Sequence, residues 1–312
     1  MASGYLDELQ RRFAHAFPDG NIARGLDRFR AIVGPTLIDG SMAAQAAAKL
    51  RDSLWPTAEE LEALEKIIRM MRPVMLVQNG AAEGLHADVQ PTFPQWDAFR
   101  EQLKPFAYSI GAVIKTEYKR KVVYGTAFLV APRLVMTNRH VVEMITHSSG
   151  VIDPKRVTID FEQEYGVMPK KDAVAVERLV AYHPQHDLAL LQLASAQTQP
   201  ALPFASDAPA AGADIATVGY PVNDVARNPV FVNALFDGKF GVKRAAPGDV
   251  LSSSSEVVVH DCSTLGGNSG SPIFSVASGE VVAVHYGGIF VTRNEAVAGP
   301  IARDFAREHA AA

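Results

Sequence analysis

Residues 263–274 read STLGGNSGSPIF. Gly266, Gly267 and Gly270 crowd around one serine, Ser269, and Ser271-Pro272 follow at once. Glycine at this density suits two kinds of backbone. One is a tight turn with no further role. The other is a segment bent so that a nucleophile lies beside its own amide donors.

A serine hydroxyl is a poor nucleophile until a base removes its proton. The base, usually histidine, needs a carboxylate to hold one tautomer, and the oxyanion needs preorganised donors. Residues 125–143, GTAFLVAPRLVMTNRHVVE, read as two apolar strands joined at Ala131-Pro132. The second runs into Thr137-Asn138-Arg139-His140, which displays His140 at the mouth of a hairpin. Residues 182–193, YHPQHDLALLQL, place Asp187 directly before an apolar run. An acid there is either a turn cap or a buried orienting carboxylate, since burial without a partner is costly. His183 and His186 read as loop residues. At the third window Gly267 lets the peptide plane turn its N–H toward an oxyanion, Ser269 N–H is a second donor, and Gly270 leaves room for substrate. The downstream PIFSV and VVAVHY are β-like, which excludes the strand–turn–helix elbow of α/β-hydrolases.

The order of the three windows is informative. His140 precedes Asp187 by 47 positions (187 − 140), and Asp187 precedes Ser269 by 82 (269 − 187). His, Asp, Ser is the chymotrypsin order. From about residue 104 to 300 the chain resembles a trypsin/chymotrypsin-type serine protease. TNRHVV at 137–142, DLALLQL at 187–193 and GNSGSP at 267–272 are similar to that family's histidine, aspartate and serine motifs. The resemblance implies an all-β protease domain of two six-stranded antiparallel barrels. It also implies His140 as general base, Asp187 as its orienting partner, Ser269 as nucleophile, and the amides of Gly267 and Ser269 as oxyanion hole. No cofactor and no metal are implied, and the substrate is a protein or peptide.

Two departures from the digestive branch matter. Those enzymes carry an aspartate before the serine, which pairs with a freshly cut N-terminus; here the position is Asn268. They also carry disulfides, whereas this chain has a single cysteine, Cys262. In the pocket, STLGGNSGSP followed by His285-Tyr286-Gly287-Gly288 is similar to the bacterial glutamyl endopeptidases. That likeness implies that Thr264 and His285, with Gly287 and Gly288, contact an acidic substrate side chain. His285 also reads as a satisfied histidine beneath the pocket floor. Ser263 at the pocket base carries no acid, which disfavours lysine or arginine.

The first seventy residues read as helical. Leu6, Leu9, Phe13 and Phe17 recur at helical steps. A second apolar pattern covers Ile22–Val33, and Ser41–Leu54 is rich in alanine and leucine. Thr57 with Glu60 predicts a capped helix running to about Met71, before Pro73. The predicted organisation is a helical region at 1–72, a linker or packing segment at 73–103, and the protease domain at 104–312, with a C-terminal helix in IARDFAREHAAA. The helical region reads either as an adaptor-sized module that recruits or gates the protease in bacterial signalling or defence, or as a cover packed on the barrel. A catalytically weak peptide-binding module of the same fold is the competing function. At 48% hydrophobic and 21% charged, with a net charge of −4 and no basic run, the 312-residue chain disfavours nucleic acid as a partner. The lone cysteine and the absence of a long apolar stretch predict a cytoplasmic protein with no membrane partner.

Overall fold

The computed structural model of the chain describes residues 2–34, 39–169, 172–223, 229–289 and 293–310, with the side chains of residues 2–5 and 229 excepted. The last two residues of the predicted C-terminal helix, 311 and 312, lie outside them. The chain opens with α1 (Ala2–Ala16), α2 (Ala23–Val33), α3 (Gly40–Arg51) and α4 (Ala58–Met70). Thr57 caps α4 in both directions. Its Oγ1 accepts from the Glu60 N–H at 3.3 Å, and its own N–H donates to the Glu60 carboxylate at 2.6 Å. Such a cap contributes about 1 kcal/mol. Next come β1 (Met75–Gln78), β2 (Ala81–Ala82) and α5 (Trp96–Leu103).

Strands β3 (Ile110–Glu117), β4 (Arg120–Ala131), β5 (Leu134–Thr137), β6 (Val157–Asp160), β7 (Val174–Tyr182) and β8 (Ala189–Leu193) close a barrel in the order β3-β4-β5-β8-β7-β6, with α6 (Arg139–Thr146) inserted after β5. Strands β9 (Asp214–Gly219), β10 (Arg244–Ser253), β11 (Val257–His260), β12 (Pro272–Ser275), β13 (Val281–Ile289) and β14 (Arg293–Ala298) form the second, closed by the β10–β11 pairing. Between β9 and β10 lies α7 (Pro229–Phe236), and α8 (Gly299–Ala310) ends the fold. All ladders in both barrels are antiparallel. The architecture is therefore two closed six-stranded barrels of the chymotrypsin type, preceded by helices.

Period-two alternation divides the apolar residues of the first barrel between two cores. Leu129, Val135 and Leu191 point into the barrel. Their neighbours Phe128, Met136 and Leu190 belong to the large core outside it. Both faces are buried, which is why LVMT and LALLQL read as continuous apolar runs.

That large core crosses the predicted boundaries at 72 and 103. Leu9, Phe13, Leu64 and Ile68 of the helices join Val250, Val258 and Phe274 of the second barrel. Strand β1 adds to β10, with Met75 opposite Ala245, and Phe99 of α5 packs on Phe274 with ring centroids 5.9 Å apart. One difference from the sequence-based strands is β10, whose Pro247 and Gly248 mask the pattern. Pro247 lies between the stretches where β10 pairs with β1 and with β11, so the missing N–H is tolerated there.

A layer of buried charge lies within the same contact. Arg12 of α1 makes a two-pronged pair with Glu65 of α4, at 2.7 Å for each nitrogen, and Arg72 Nη2 reaches Asp249 of β10 at 2.6 Å. His15 of α1 sits at the margin of this layer. Its Nδ1 meets the Asp249 carboxylate, and its Nε2 faces the Thr92 carbonyl at 2.8 Å. Both ring nitrogens face acceptors, so the doubly protonated ring fits best. Burial opposes that charge, but the Asp249 hydrogen bond and charge, with help from Asp214, outweigh it and raise the His15 pKa above its ordinary value. This bond's stabilisation is thus fully present below the unfolded-state pKa of about 6.5 and is lost as pH rises through the higher folded value. Denaturant titrations from about pH 6 to pH 9 are expected to show stability falling with pH, and His15→Gln to flatten that fall. An unchanged slope in the variant rules out His15 as its source.

Candidate active site

Strand β5 ends at Thr137, and the chain turns through Asn138 into α6. His140 therefore sits in the first turn of a helix, not at a hairpin mouth as its sequence suggests. The pattern RHVVEMIT buries Val141, Val142 and Ile145 on one face, which holds the helix against the first barrel. Asn138, fully buried, donates from Nδ2 to the Asp187 carbonyl at 2.7 Å. This bond ties the start of α6 to the loop leading into β8.

Both carboxylate oxygens of Asp187 are engaged at the start of α6. One carboxylate oxygen accepts from the His140 backbone N–H at 3.0 Å, and the other lies 2.5 Å from His140 Nδ1. The acid also caps the positive end of α6. Burial by itself works against the charged form of Asp187. The His140 ring and the N–H groups of His140 and Arg139 together outweigh it and hold the carboxyl below its ordinary range. The remaining ring nitrogen of His140, Nε2, is therefore the one that faces away from the carboxylate. The two loop histidines steady this arrangement. His183 accepts from the N–H groups of Gln185 and His186, and its ring meets the edge of Phe305 on α8 with centroids 5.0 Å apart.

The serine loop, 261–271, is stitched to both barrels. Thr126 of β4 donates its N–H to the Ser269 carbonyl and its Oγ1 to the Gly267 carbonyl, each at 2.8 Å. Gly270 N–H donates to the His285 carbonyl at 2.8 Å, and His285 N–H to the Ser271 carbonyl at 2.9 Å. Gly270 has φ +86°, and a Cβ there would lie 2.1 Å from the Thr126 carbonyl, so only glycine lets the loop approach β4 this closely.

Donors for an oxyanion follow from where the loop's carbonyls go. The Gly266 carbonyl is taken by the Val222 N–H at 2.7 Å. That fixes the 266–267 peptide plane and turns the Gly267 N–H to its opposite edge. Among the described residues neither the Gly267 N–H nor the Ser269 N–H donates a hydrogen bond, while their neighbours Asn268, Gly270 and Ser271 all do. Unpaired amides are rare in folded chains, and two flanking one serine are what an oxyanion hole requires. Asn268 is buried and serves only its own loop. Its Oδ1 accepts from the Leu265 N–H at 3.1 Å, and its Nδ2 lies 3.5 Å from Ser271 Oγ.

Of the pocket candidates, Thr264 is buried and donates to Asn294 Oδ1 at 2.9 Å, while Asn294 Nδ2 donates to the Cys262 carbonyl at 2.6 Å. His285 is also buried, with Nδ1 3.2 Å from Nε2 of His260. Burial, then the nearby His260 and His140, push the His285 pKa well below its ordinary value, and burial pushes His260 down to about 3. Both rings are neutral. Gly287 has open space where a side chain would stand, and Gly288 is exposed beside Asn294. The sequence motifs missed Thr126, Asn138, His260 and Asn294. The only hint was small or polar residues interrupting apolar strands, as in GTAFLV and EVVVHD.

A family model described as a trypsin-like peptidase domain matches residues 125–284, and the chain belongs to that family. Three solved structures are similar to it. The Rv3671c protease of M. tuberculosis in its active form shares 21% identity over 64% of this chain and 81% of that one, with a TM-score of 0.46. The serine endoprotease of Yersinia pestis shares 15% over 68% and 66%, with 0.49. The VesB protease of Vibrio cholerae shares 17% over 64% and 63%, with 0.48.

Gly267 has φ +84°, and a Cβ there would lie 2.3 Å from the Tyr220 carbonyl. Gly267→Ala is expected to destabilise the fold by about 1–3 kcal/mol through backbone strain, read by chemical denaturation. A variant as stable as the parent contradicts the loop geometry described above.

Proposed function

We propose that the chain is a serine endopeptidase that cleaves proteins or peptides through an acyl-enzyme. The observation that carries this reading is the double contact of the Asp187 carboxylate with His140, one oxygen on the ring and one on the backbone. Such a pair fixes the tautomer with a proton on Nδ1 and leaves Nε2 as a base. In this reading His140 Nε2 takes the proton from Ser269 Oγ as it attacks the scissile carbonyl. The amides of Gly267 and Ser269 receive the oxyanion. His140 then returns the proton to the leaving amine, and a water attacks the acyl-enzyme by the same route in reverse. Asp187, kept ionised by its hydrogen bonds, stabilises the transient imidazolium.

The side chain preceding the cut is proposed to be acidic. His285 and Thr264 supply hydrogen-bonding groups near the serine loop, and Ser263 brings no negative charge to the pocket base. In this reading His260 donates from Nε2 to His285 Nδ1, and the His285 ring carries its proton on Nε2. The pocket then offers a carboxylate a donated hydrogen bond from a neutral ring. The helical front, sharing its core with the second barrel, fits a gating role better than that of a free adaptor.

A fluorophosphonate probe is expected to label the full chain and not Ser269→Ala, and Asp187→Asn is expected to lower kcat by roughly 10³–10⁴-fold. A folded wild-type chain that never labels points instead to a peptide-binding module. In a peptide-library digest, cleavage is expected after glutamate or aspartate, with KM for such peptides rising in His285→Ala and Thr264→Val. Preferential cleavage after lysine or arginine overturns the pocket reading.

A further inference from the structure

The serine loop has two halves, and the helical front reaches one of them. Residues 266–271 are tied to the barrels through Val222, Thr126 and His285. Residues 261–263 belong to no strand. Asp249 of β10 and Asn294 of β14 bond to Asp261 and Cys262, and the helical front grips all three residues from the other side. Arg69, in the last turn of α4, donates from Nη1 to the Asp261 carbonyl at 2.5 Å and to the Cys262 carbonyl at 3.1 Å. Arg72, just past that helix, donates from Nε to the Asp261 carboxylate at 3.0 Å. The Arg72 carbonyl accepts from Ser263 Oγ at 2.7 Å. Arg12 of α1 adds a longer contact to Asp261 at 3.4 Å.

All of these groups are buried, and Arg72 and Asp261 are fully so. Three cations face three anions, with His15 at the margin of the layer. Arg12, Arg69 and Arg72 stand against Glu65, Asp249 and Asp261. A buried ionic layer is an inefficient way to attach one apolar surface to another, because desolvation consumes most of the Coulombic gain. What it supplies is geometry. A planar guanidinium fixes direction as well as distance, and here it is aimed at consecutive backbone carbonyls. The gripped residues lead directly into Thr264 and, five residues further on, Ser269. The same front also holds α7, downstream of Val222, through Phe29 stacked on Phe231 with centroids 6.1 Å apart.

We propose that Arg69 and Arg72 are positioning residues for hydrolysis: from the helical front they set the path of residues 261–263 and thereby the placement of the pocket base, the Gly267 amide and Ser269. The helical front is then a working part of the active site in cis. This inference rests on the endopeptidase reading, and displacement of reacting groups by about 1 Å is enough to cost about 10²-fold in rate.

The test uses the full chain. Arg69→Met removes both carbonyl contacts, and Arg69→Lys restores a donor. The rate of Ser269 labelling by a fluorophosphonate, which places no side chain in the pocket, is expected to fall about 10²-fold in the first and to recover most of that in the second. On a peptide substrate kcat is expected to fall with KM changed by less than about threefold, as for a lost transition-state arrangement. Amide hydrogen exchange is expected to quicken at 261–269 and to stay unchanged in α1 to α3. A folded Arg69→Met that labels at the wild-type rate overturns the proposal, as does loosening spread equally over α1 to α3. Should Arg69→Met not fold, Ser263→Ala, which removes one bond to the front and no charge, decides in its place: slower labelling supports the brace and an unchanged rate overturns it. If the wild-type chain itself does not label, the endopeptidase reading fails, and the exchange pattern alone judges the brace.

Discussion

Thr126 is the residue on which the meeting of the two barrels depends. Its N–H and Oγ1 hold the carbonyls of Ser269 and Gly267, and its own carbonyl accepts from Thr137 Oγ1 at 2.7 Å. Its Oγ1 also accepts from the Tyr220 N–H at 3.2 Å. The side chain is fully buried, and every polar group it has is used. One residue of β4 thus locks β5, the end of β9 and the serine loop to each other. His140 follows Thr137 by three positions, so the register of that lock sets where the histidine and the serine stand. A valine would fill the same space and leave two buried partners unpaired, which costs more than the hydrogen bonds contribute.

The chemistry of the His140–Asp187 pair follows from a helix that the local sequence conceals. TNRHVV is β-like in composition, yet Arg139–Thr146 is helical. The helical turn directs the His140 N–H and ring to the same side, so one carboxylate serves both. An extended strand would point them apart. The Asp187 charge is stabilised by a helix start as well as by imidazole, which accounts for its lowered pKa despite partial burial.

Much of the fold was legible because the barrels and helices announce themselves by period. Most strands of the first barrel, the capping box at Thr57 and the helical front follow from spacing of apolar residues and end signals, whereas β7 is masked by exposed Glu177 and Arg178 in mid-strand. Of the candidate site, the His140–Asp187 pairing was legible, because small, special residues cluster in those two windows. What was not legible is whatever depends on long-range partners. Arg12, Glu65, Arg69 and Arg72 look like ordinary charges on amphipathic helices. Nothing local marks them as buried, because the arginines' partners Asp249 and Asp261 lie more than 170 positions away and Glu65 meets Arg12 from another helix, 53 positions off. Likewise His260 sits in EVVVHD as an unremarkable strand end, and only the pairing of β11 with β14 and β14 with β13 brings it beside His285.

The position before the serine gains meaning from this distant network. Asn268 carries no charge, and its side chain bonds only within the turn. The acid of this loop stands instead at Asp261, where three arginines on one face hold its carboxyl far below the ordinary range against a large burial penalty. A buried carboxylate without those cations would be protonated or would pull the loop toward solvent. The cations reside on α1, in the last turn of α4 and just past it, so the ionisation of Asp261 is tied to the docking of the helices. Separating the helices from the barrel would expose the acid, free the Asp261 carbonyl, leave the Cys262 carbonyl to Asn294 alone and release Ser263 in a single event. The charged groups that meet Asp261 of the serine loop are thus carried by helices of the same chain.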